Sequence, residues 1–319
     1  MSKILTVKKL LDFAYNKYKI KNAIRLKKGS TKNINYFNYI FDVYSLARVI
    51  KSKINDKNIA IISENRYEFL VTYLANVILK NKVIIIDINL SKNAITKIIK
   101  KYDINTVFFS EKNKEKILEI YNLNIKKKKL NLINFDSNNK NPIIEYEKLI
   151  NIGRYIENNS IDNIPDTDEK IKNIVIANLS ETKEYSQEDL LTSAYIIGKN
   201  LKIKKKKEIL ADNTINSFYK IVIKIIVPLL YGLNIQYTLE DYQNLKNNIE
   251  IQEEEKNKIT VKYRSNKYLI ENINIYTYVM KVENELQRSK QKKETPNFIL
   301  IKSNRKEKIK DNKKSVMYN

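Results

Sequence analysis

The sequence predicts an α/β fold in which parallel-sheet subdomains are joined by crossover helices. Three observations predict it. Asn58–Ser63 (NIAIIS), Lys82–Asp87 (KVIIID) and Ile104–Ser110 (INTVFFS) are short runs rich in β-branched and aromatic residues, as buried strands are. Between them, Arg66–Lys80 and Lys92–Lys101 carry apolar residues at helical spacing, and Ser91 stands where a helix cap is needed. Further on, Ile171–Ala177 (IKNIVIA) reads as a buried strand and Ser186–Asn200 as a helix, with Ser186 and Asp189 at the spacing of a capping box. Strand–helix–strand alternation requires parallel strands and crossovers.

The remaining elements follow in order. Leu5–Tyr18 is amphipathic and predicts a helix. Asn22–Leu26 and Ile34–Tyr36 suit a small hairpin around Lys28–Gly29–Ser30, followed by a helix over Phe37–Lys53. The polar stretches Ser137–Pro142 and Asn158–Asp168 read as turns, and the second predicts a boundary between a first α/β subdomain, 1–165, and a partial second one, 166–319, with a charged tail. In the second part Ile209–Ala211 begins a strand, Ser217–Ile226 is apolar and helical, and Asn234–Tyr237 is a strand. Phe218–Tyr237 is about as long as a membrane span, for which ~20 apolar residues are needed. Lys220, Lys224, Pro228 and Gly232 interrupt it, so a buried helix, a turn and a strand are expected. With no secretory signal evident, a cytoplasmic protein is expected.

Composition narrows the chemistry. The chain has 319 residues, 43% of them hydrophobic, enough for a substantial core. It has no Cys and no His. Disulfides, thiolate nucleophiles, Ser–His–acid arrangements and nearly all zinc sites are excluded. Lys and Arg total 60 against 36 Asp and Glu, a formal charge of +24. At face value this suggests an acidic partner such as nucleic acid, phosphate or an anionic membrane. Abundant Lys, Asn and Ile with scarce Gly, Ala, Pro and Trp are what an AT-rich genome produces, and that is the preferred account of the charge. Glu253–Glu255 reads as a solvated helix face rather than a cation site.

The residues of 57–110 resemble a known family. In "NIAIISENRYEFLVTYLA…NKVIIIDINLS…INTVFFS", Asn65, Arg66, Glu68, Leu74, Ala75, Asp87 and Leu90 fall on the letters of the N-terminal part of AMP-forming acyl-CoA synthetases, the adenylate-forming ligases. Tyr36–Ile50 is similar to the family's helix upstream, and Val227–Tyr237 (VPLLYGLNIQY) to its "vPLlyG" segment. The family's full chain is longer, so the resemblance implies a truncated, degenerate N-terminal part. It also implies a reaction, fatty acid plus ATP and CoA giving acyl-CoA, AMP and pyrophosphate, with ATP and magnesium as its cofactors if activity remains.

The family's phosphate loop, about "TSGTTGxPKG", belongs between the strand ending at Ala177 and the helix at Ser186. Glycines there let the backbone approach the phosphates, Ser, Thr and backbone N–H groups donate hydrogen bonds, and Lys supplies charge. Here the segment is Asn178–Tyr185, NLSETKEY, shorter and without glycine. Ser180, Thr182 and Lys183 are the candidate remnants for ATP, and an ordinary strand-to-helix turn is the preferred reading. The acyl-pocket motif, similar to "LPlhH", corresponds to Asp212–Tyr219, with Asn216 and Ser217 near the expected His. No catalytic residue and no metal ligand is assigned. An inactive member of the family is therefore expected, pairing with an intact ligase or with itself; the alternative is a basic binding protein for nucleic acid or anionic lipid.

Overall fold

The computed structural model describes residues 6–28, 30–124, 130–136, 142–156, 170–179, 181–200, 208–211, 214–237, 248–254, 258–263 and 269–273. Gly29, the boundary stretch after residue 156 and the charged runs 126–129, 204–207, 287–294 and 305–314 lie outside them. The chain divides into two units. One comprises 1–252 and 261–271, and the other 253–260 and 272–319.

Helix α1 (Val7–Tyr18) starts at Thr6, whose Oγ1 accepts from Lys9 N at 3.2 Å. The hairpin β1 (Asn22–Lys28) and β2 (Ser30–Asn35) leads into α2 (Tyr36–Val49), capped by Asn35. A π-helical turn, Ile50–Ile54, extends α2 and ends at Asn55, whose φ of 52° breaks the helix before β3 (Asn58–Ile62). Then come α3 (Tyr67–Ile78), β4 (Lys82–Ile86), α4 (Lys92–Lys101), β5 (Thr106–Phe109), α5 (Lys114–Asn124), β6 (Asn131–Asn134), β7 (Ile143–Glu145) and α6 (Tyr146–Tyr155). Ser91 caps α4 as expected, its Oγ accepting from Ala94 N. The second half has β8 (Lys172–Ala177), β9 (Thr182–Ser186), α7 (Gln187–Asn200), β10 (Glu208–Leu210), α8 (Phe218–Ile221), a π-helical turn (Val222–Ile226), α9 (Val227–Tyr231) and β11 (Asn234–Tyr237). Last are β12 (Asn248–Glu254), β13 (Lys258–Tyr263) and β14 (Leu269–Ile273). Glu253 and Glu254 are thus strand residues, a correction to the expected helix face. No described helix is long and apolar enough to cross a membrane.

One sheet has the order β7-β6-β5-β3-β4-β8-β9, parallel except for the antiparallel β8–β9 pair. The other has the order β14-β13-β12-β10-β11-β1-β2. The sheets do not divide at residue 165. β8 and β9 complete the sheet begun by β3, while β1 pairs in parallel with the distant β11. Buried hydroxyls reinforce that closure. Tyr18 donates to Leu230 O at 3.0 Å, and the Tyr36 hydroxyl lies 2.8 Å from Pro228 O and 2.7 Å from Leu233 O.

The strands of the β3 sheet are apolar throughout because both faces are covered. Ala60, Ile62, Ile84, Ile86, Val107, Phe109, Leu132 and Val175 pack on one face with Ile95 and Ile99 of α4 and Ile117 and Ile120 of α5. The alternate residues Ile59, Ile61, Val83, Ile85, Phe108, Ile133, Ile174 and Ile176 are equally buried and point to the opposite face. There α3 lies against β3, β4 and α2, with every residue from Phe69 to Ile78 buried. Each such side chain contributes about 1.5–3 kcal/mol on burial.

Where α2 crosses α6, a β-carbon at Gly153 would stand 1.9 Å from Ser45 O. The gap holds the buried Arg48, whose Nε donates to Gly153 O at 2.8 Å. Gly153→Ala is expected to lower unfolding free energy by about 3 kcal/mol in urea denaturation. The buried tyrosines set an alkaline limit. Burial, then the neighbouring Tyr231, raises Tyr18 from 10.0 to about 12. Folding favours the neutral phenol. Its stabilisation is complete below pH 10 and declines as pH rises through about 12. Alkaline titration is expected to show tyrosinate absorbance and loss of the fold appearing together above pH 10.

Candidate functional site

The segment expected to hold ATP phosphates is a β-hairpin. β8 and β9 pair with Ala177 opposite Thr182, leaving the four residues 178–181 as the connection. Asn178 closes it: its N donates to Glu181 O at 3.0 Å and its Oδ1 accepts from Glu181 N at 2.9 Å. The flanking strand and helix are those the sequence predicts. Ser186 and Asp189 form the expected capping box, with Ser186 N to Asp189 Oδ2 at 2.8 Å and Asp189 N to Ser186 Oγ at 3.1 Å. The stretch between them differs from the expected strand-to-helix turn, because Thr182–Ser186 pairs with β8 before the helix starts.

Of the candidate phosphate ligands, Ser180 lies outside the described residues. Thr182 and Lys183 are exposed and consecutive on β9, so their side chains leave opposite faces of the sheet and cannot converge on one group. The Lys183 ammonium lies 2.7 Å from Glu181, and Glu184 is held by Lys82 at 3.1 Å. A connection of this length, without glycine and with Glu181 and Glu184 beside it, does not fit a magnesium triphosphate.

Asn216 and Ser217 have separate roles. Ser217 caps α8, its Oγ accepting from Lys220 N at 3.4 Å. Asn216 is the centre of a polar knot at the carboxyl ends of β4 and β8. Its Nδ2 donates to Asp87 Oδ2 at 2.6 Å, its Oδ1 accepts from Lys220 Nζ at 3.1 Å, and its carbonyl accepts from Asn178 Nδ2 at 3.2 Å. Asp87 is buried and also accepts from Asn89 N at 2.9 Å. Sequence reasoning missed Asn178 and Lys220 as partners. The pairing of Lys220 with Asn216 at i, i+4 was the available signal.

A second polar cluster lies where the connections of β3 and β5 leave towards opposite sides, the crevice where open α/β sheets place ligands. Arg66 fills it. Its Nε meets Glu68 at 2.6 Å, its Nη1 meets both oxygens of Asp136 at 2.9 Å, and Glu64 lies 3.9 Å away. Burial acts to lower the Arg66 pKa, but the hydrogen bonds and charges of Glu68 and Asp136 outweigh it and raise it. Asp136 also accepts from Glu111 N at 2.9 Å, and Asn134 donates to Glu111 at 2.6 Å. Arg66 was expected only as a family letter; here it is a structural counter-ion surrounded by carboxylates, a poor neighbour for phosphate. Among the described residues no group of acidic side chains is placed to hold a metal ion.

No family model and no curated protein matches the sequence. Solved structures match the fold. The A-PCP didomain of carboxylic acid reductase from Segniliparus rugosus, in complex with AMP, superposes with a TM-score of 0.61 at 10% identity over 74% of this chain and 39% of that one. A luciferase-like enzyme from the mealworm Zophobas morio gives 0.58 at 14% identity, covering 75% and 56%. The O-succinylbenzoate coenzyme A synthetase of Bacillus subtilis, with ATP and magnesium, gives 0.55 at 12% identity, covering 72% and 56%. The chain therefore spans less than two thirds of each.

Replacing Arg66 by Leu is expected to cost about 2 kcal/mol of stability by leaving Glu68 and Asp136 facing each other uncompensated. A double-mutant cycle with Asp136→Asn, read by urea denaturation, is expected to show coupling of about 1 kcal/mol or more. The fold is that of the N-terminal domains of adenylate-forming ligases.

Proposed function

We propose that this chain is a non-catalytic relative of the acyl-CoA ligases, one that keeps the α/β scaffold of the N-terminal region and does not itself activate a fatty acid with ATP. One observation carries the reading: the four-residue connection between β8 and β9, where Lys183 faces Glu181. Acid activation brings a carboxylate against the α-phosphate of ATP. Two anions must be neutralised and aligned, and positioning with electrostatic stabilisation supplies most of the acceleration. At the corresponding place this chain offers carboxylates, a lysine already in an ion pair and a threonine directed to the other face. A role through partners follows, either with an intact ligase or with a second copy of this chain. The chain's +24 charge and the absence of Cys and His leave that reading unchanged, since neither supplies an activating group.

Calorimetry of the purified chain with ATP and magnesium, alongside Lys183→Ala, tests this. No binding at millimolar ATP and no acid-dependent pyrophosphate exchange are expected. Micromolar binding that disappears in Lys183→Ala, followed by exchange activity, would overturn the reading and make this a working ligase.

A further inference from the structure

In a parallel sheet with crossover helices, strand starts and helix ends share one edge. In the β3 sheet that edge is lined with lysine. Lys53 and Lys57 precede β3, Lys80 joins α3 to β4, Lys100 lies in the last turn of α4, and Lys172 opens β8. All five are exposed, and none has a side-chain partner among the described residues. Strand pairing brings them together: Lys82 N donates to Lys57 O at 2.7 Å, and Asn173 Nδ2 donates to Asn81 O at 3.3 Å. A cavity of about 200 Å³ opens here, with Lys51, Lys57 and Lys80 in its lining beside Asn55 and Asn81.

At the opposite edge Lys112 is exposed too, but several other lysines are ion-paired. There Lys114 pairs with Glu111 at 2.9 Å, Lys148 with Glu145 at 3.1 Å and Lys183 with Glu181 at 2.7 Å, and Lys92 pairs with Glu119. Of the acidic groups at the lysine edge, Asp56 is bonded to Asn131 and Thr106, Glu184 is held by Lys82, and Asp103 is exposed in the α4–β5 turn. Helix C-termini favour cations, which accounts for Lys100 and adds to the pull on Lys57 and Lys80, since the π-helical turn and α3 end at this same edge. The positive charge is thus arranged rather than merely abundant. Two apolar side chains accompany it: Leu123, 75% exposed at the end of α5, and Ile171, 50% exposed just before β8. Basic residues with exposed apolar ones suit a surface that is charged outside and apolar beneath.

We propose that the amino-terminal edge of the β3 sheet docks on a bilayer containing anionic lipid. The lysines would meet the headgroups, and Leu123 and Ile171 the acyl boundary. Nucleic acid fits the charge but not the rest. Stacking of bases needs exposed rings, and Tyr102, an aromatic residue at this edge, is buried with Lys82 and Lys101 over its ring.

The test is co-sedimentation of the full chain with vesicles of phosphatidylcholine alone and of phosphatidylcholine with phosphatidylserine, beside binding to a single-stranded oligonucleotide at the same salt. Binding is expected only to the phosphatidylserine vesicles and should weaken as salt rises. The double variant Lys57→Glu with Lys80→Glu should lose roughly 30-fold or more in affinity. The charge-matched variant Lys112→Glu with Lys148→Glu should retain most binding, with both variants checked for an unchanged melting temperature. Leu123→Ser with Ile171→Ser should weaken vesicle binding. Equal losses in the two charge variants would reduce the effect to net charge and overturn the proposal. So would equal binding to neutral vesicles, no binding to acidic ones, or tighter binding to the oligonucleotide that Leu123→Ser with Ile171→Ser leaves untouched.

Discussion

The fold depends on covering both faces of β3 and β4. Their residues are apolar at every buried position, so neither face can meet water. Helices α4 and α5 close one face, and α3, backed by α2, closes the other. This explains why α3 is buried almost all round and why its neighbours α1, α2 and α7 are needed. Gln187 joins that packing at a single buried point. Its Oε1 accepts from Val7 N at 2.8 Å and its Nε2 donates to Val77 O at 3.4 Å, so the starts of α1 and α7 and the end of α3 are held together.

The same constraint separates the two edges of the sheet chemically. At the carboxyl edge the polar groups are used up in pairs and knots: Arg66 among its carboxylates, Asp87 with Asn216, Asn178 closing the hairpin. These contacts join the ends of strands far apart in sequence, and Tyr237 extends them by donating to Asn65 at 2.8 Å. At the amino edge Lys53, Lys57, Lys80, Lys100 and Lys172 carry charge without side-chain partners among the described residues, which leaves them available to the outside.

The strands and helices from 58 to 110 were legible because each is short-range: β-branched runs, helical spacing and a cap at Ser91 depend on neighbours in sequence. The capping box at Ser186 was legible for the same reason. The helix over Ser217–Ile226 was legible as apolar but not as broken, since the π-helical turn Val222–Ile226 has no sequence mark of its own. The roles of the candidate residues were not legible. Asn216 was placed near a pocket because of its position in a motif, whereas its contacts come from Asp87 after β4 and Asn178 on the hairpin, both remote from it in sequence. β12–β14 were missed because the charges around them were read as a tail, although Lys258–Tyr263 alternates polar and apolar residues as a strand does.

By itself the sequence determined the class of fold, the strands and helices from 58 to 110, the strand ending at Ala177 with the helix after Ser186, and the absence of thiol and imidazole chemistry. Those follow from local propensity, periodicity and residue counts. Only the tertiary structure decided which strands share a sheet. Nothing local could place β8 and β9 beside β4, or β1 beside β11, because those pairings are chosen by which apolar faces remain to be covered once the nearer strands have packed. The structure likewise decided where the charges meet. Among the described residues, lysines spread along the chain gather mostly as ion-paired groups at one edge and mostly as unpaired ones at the other, Lys82 with Glu184 and Lys112 being exceptions, since a parallel sheet collects every strand start on the same side.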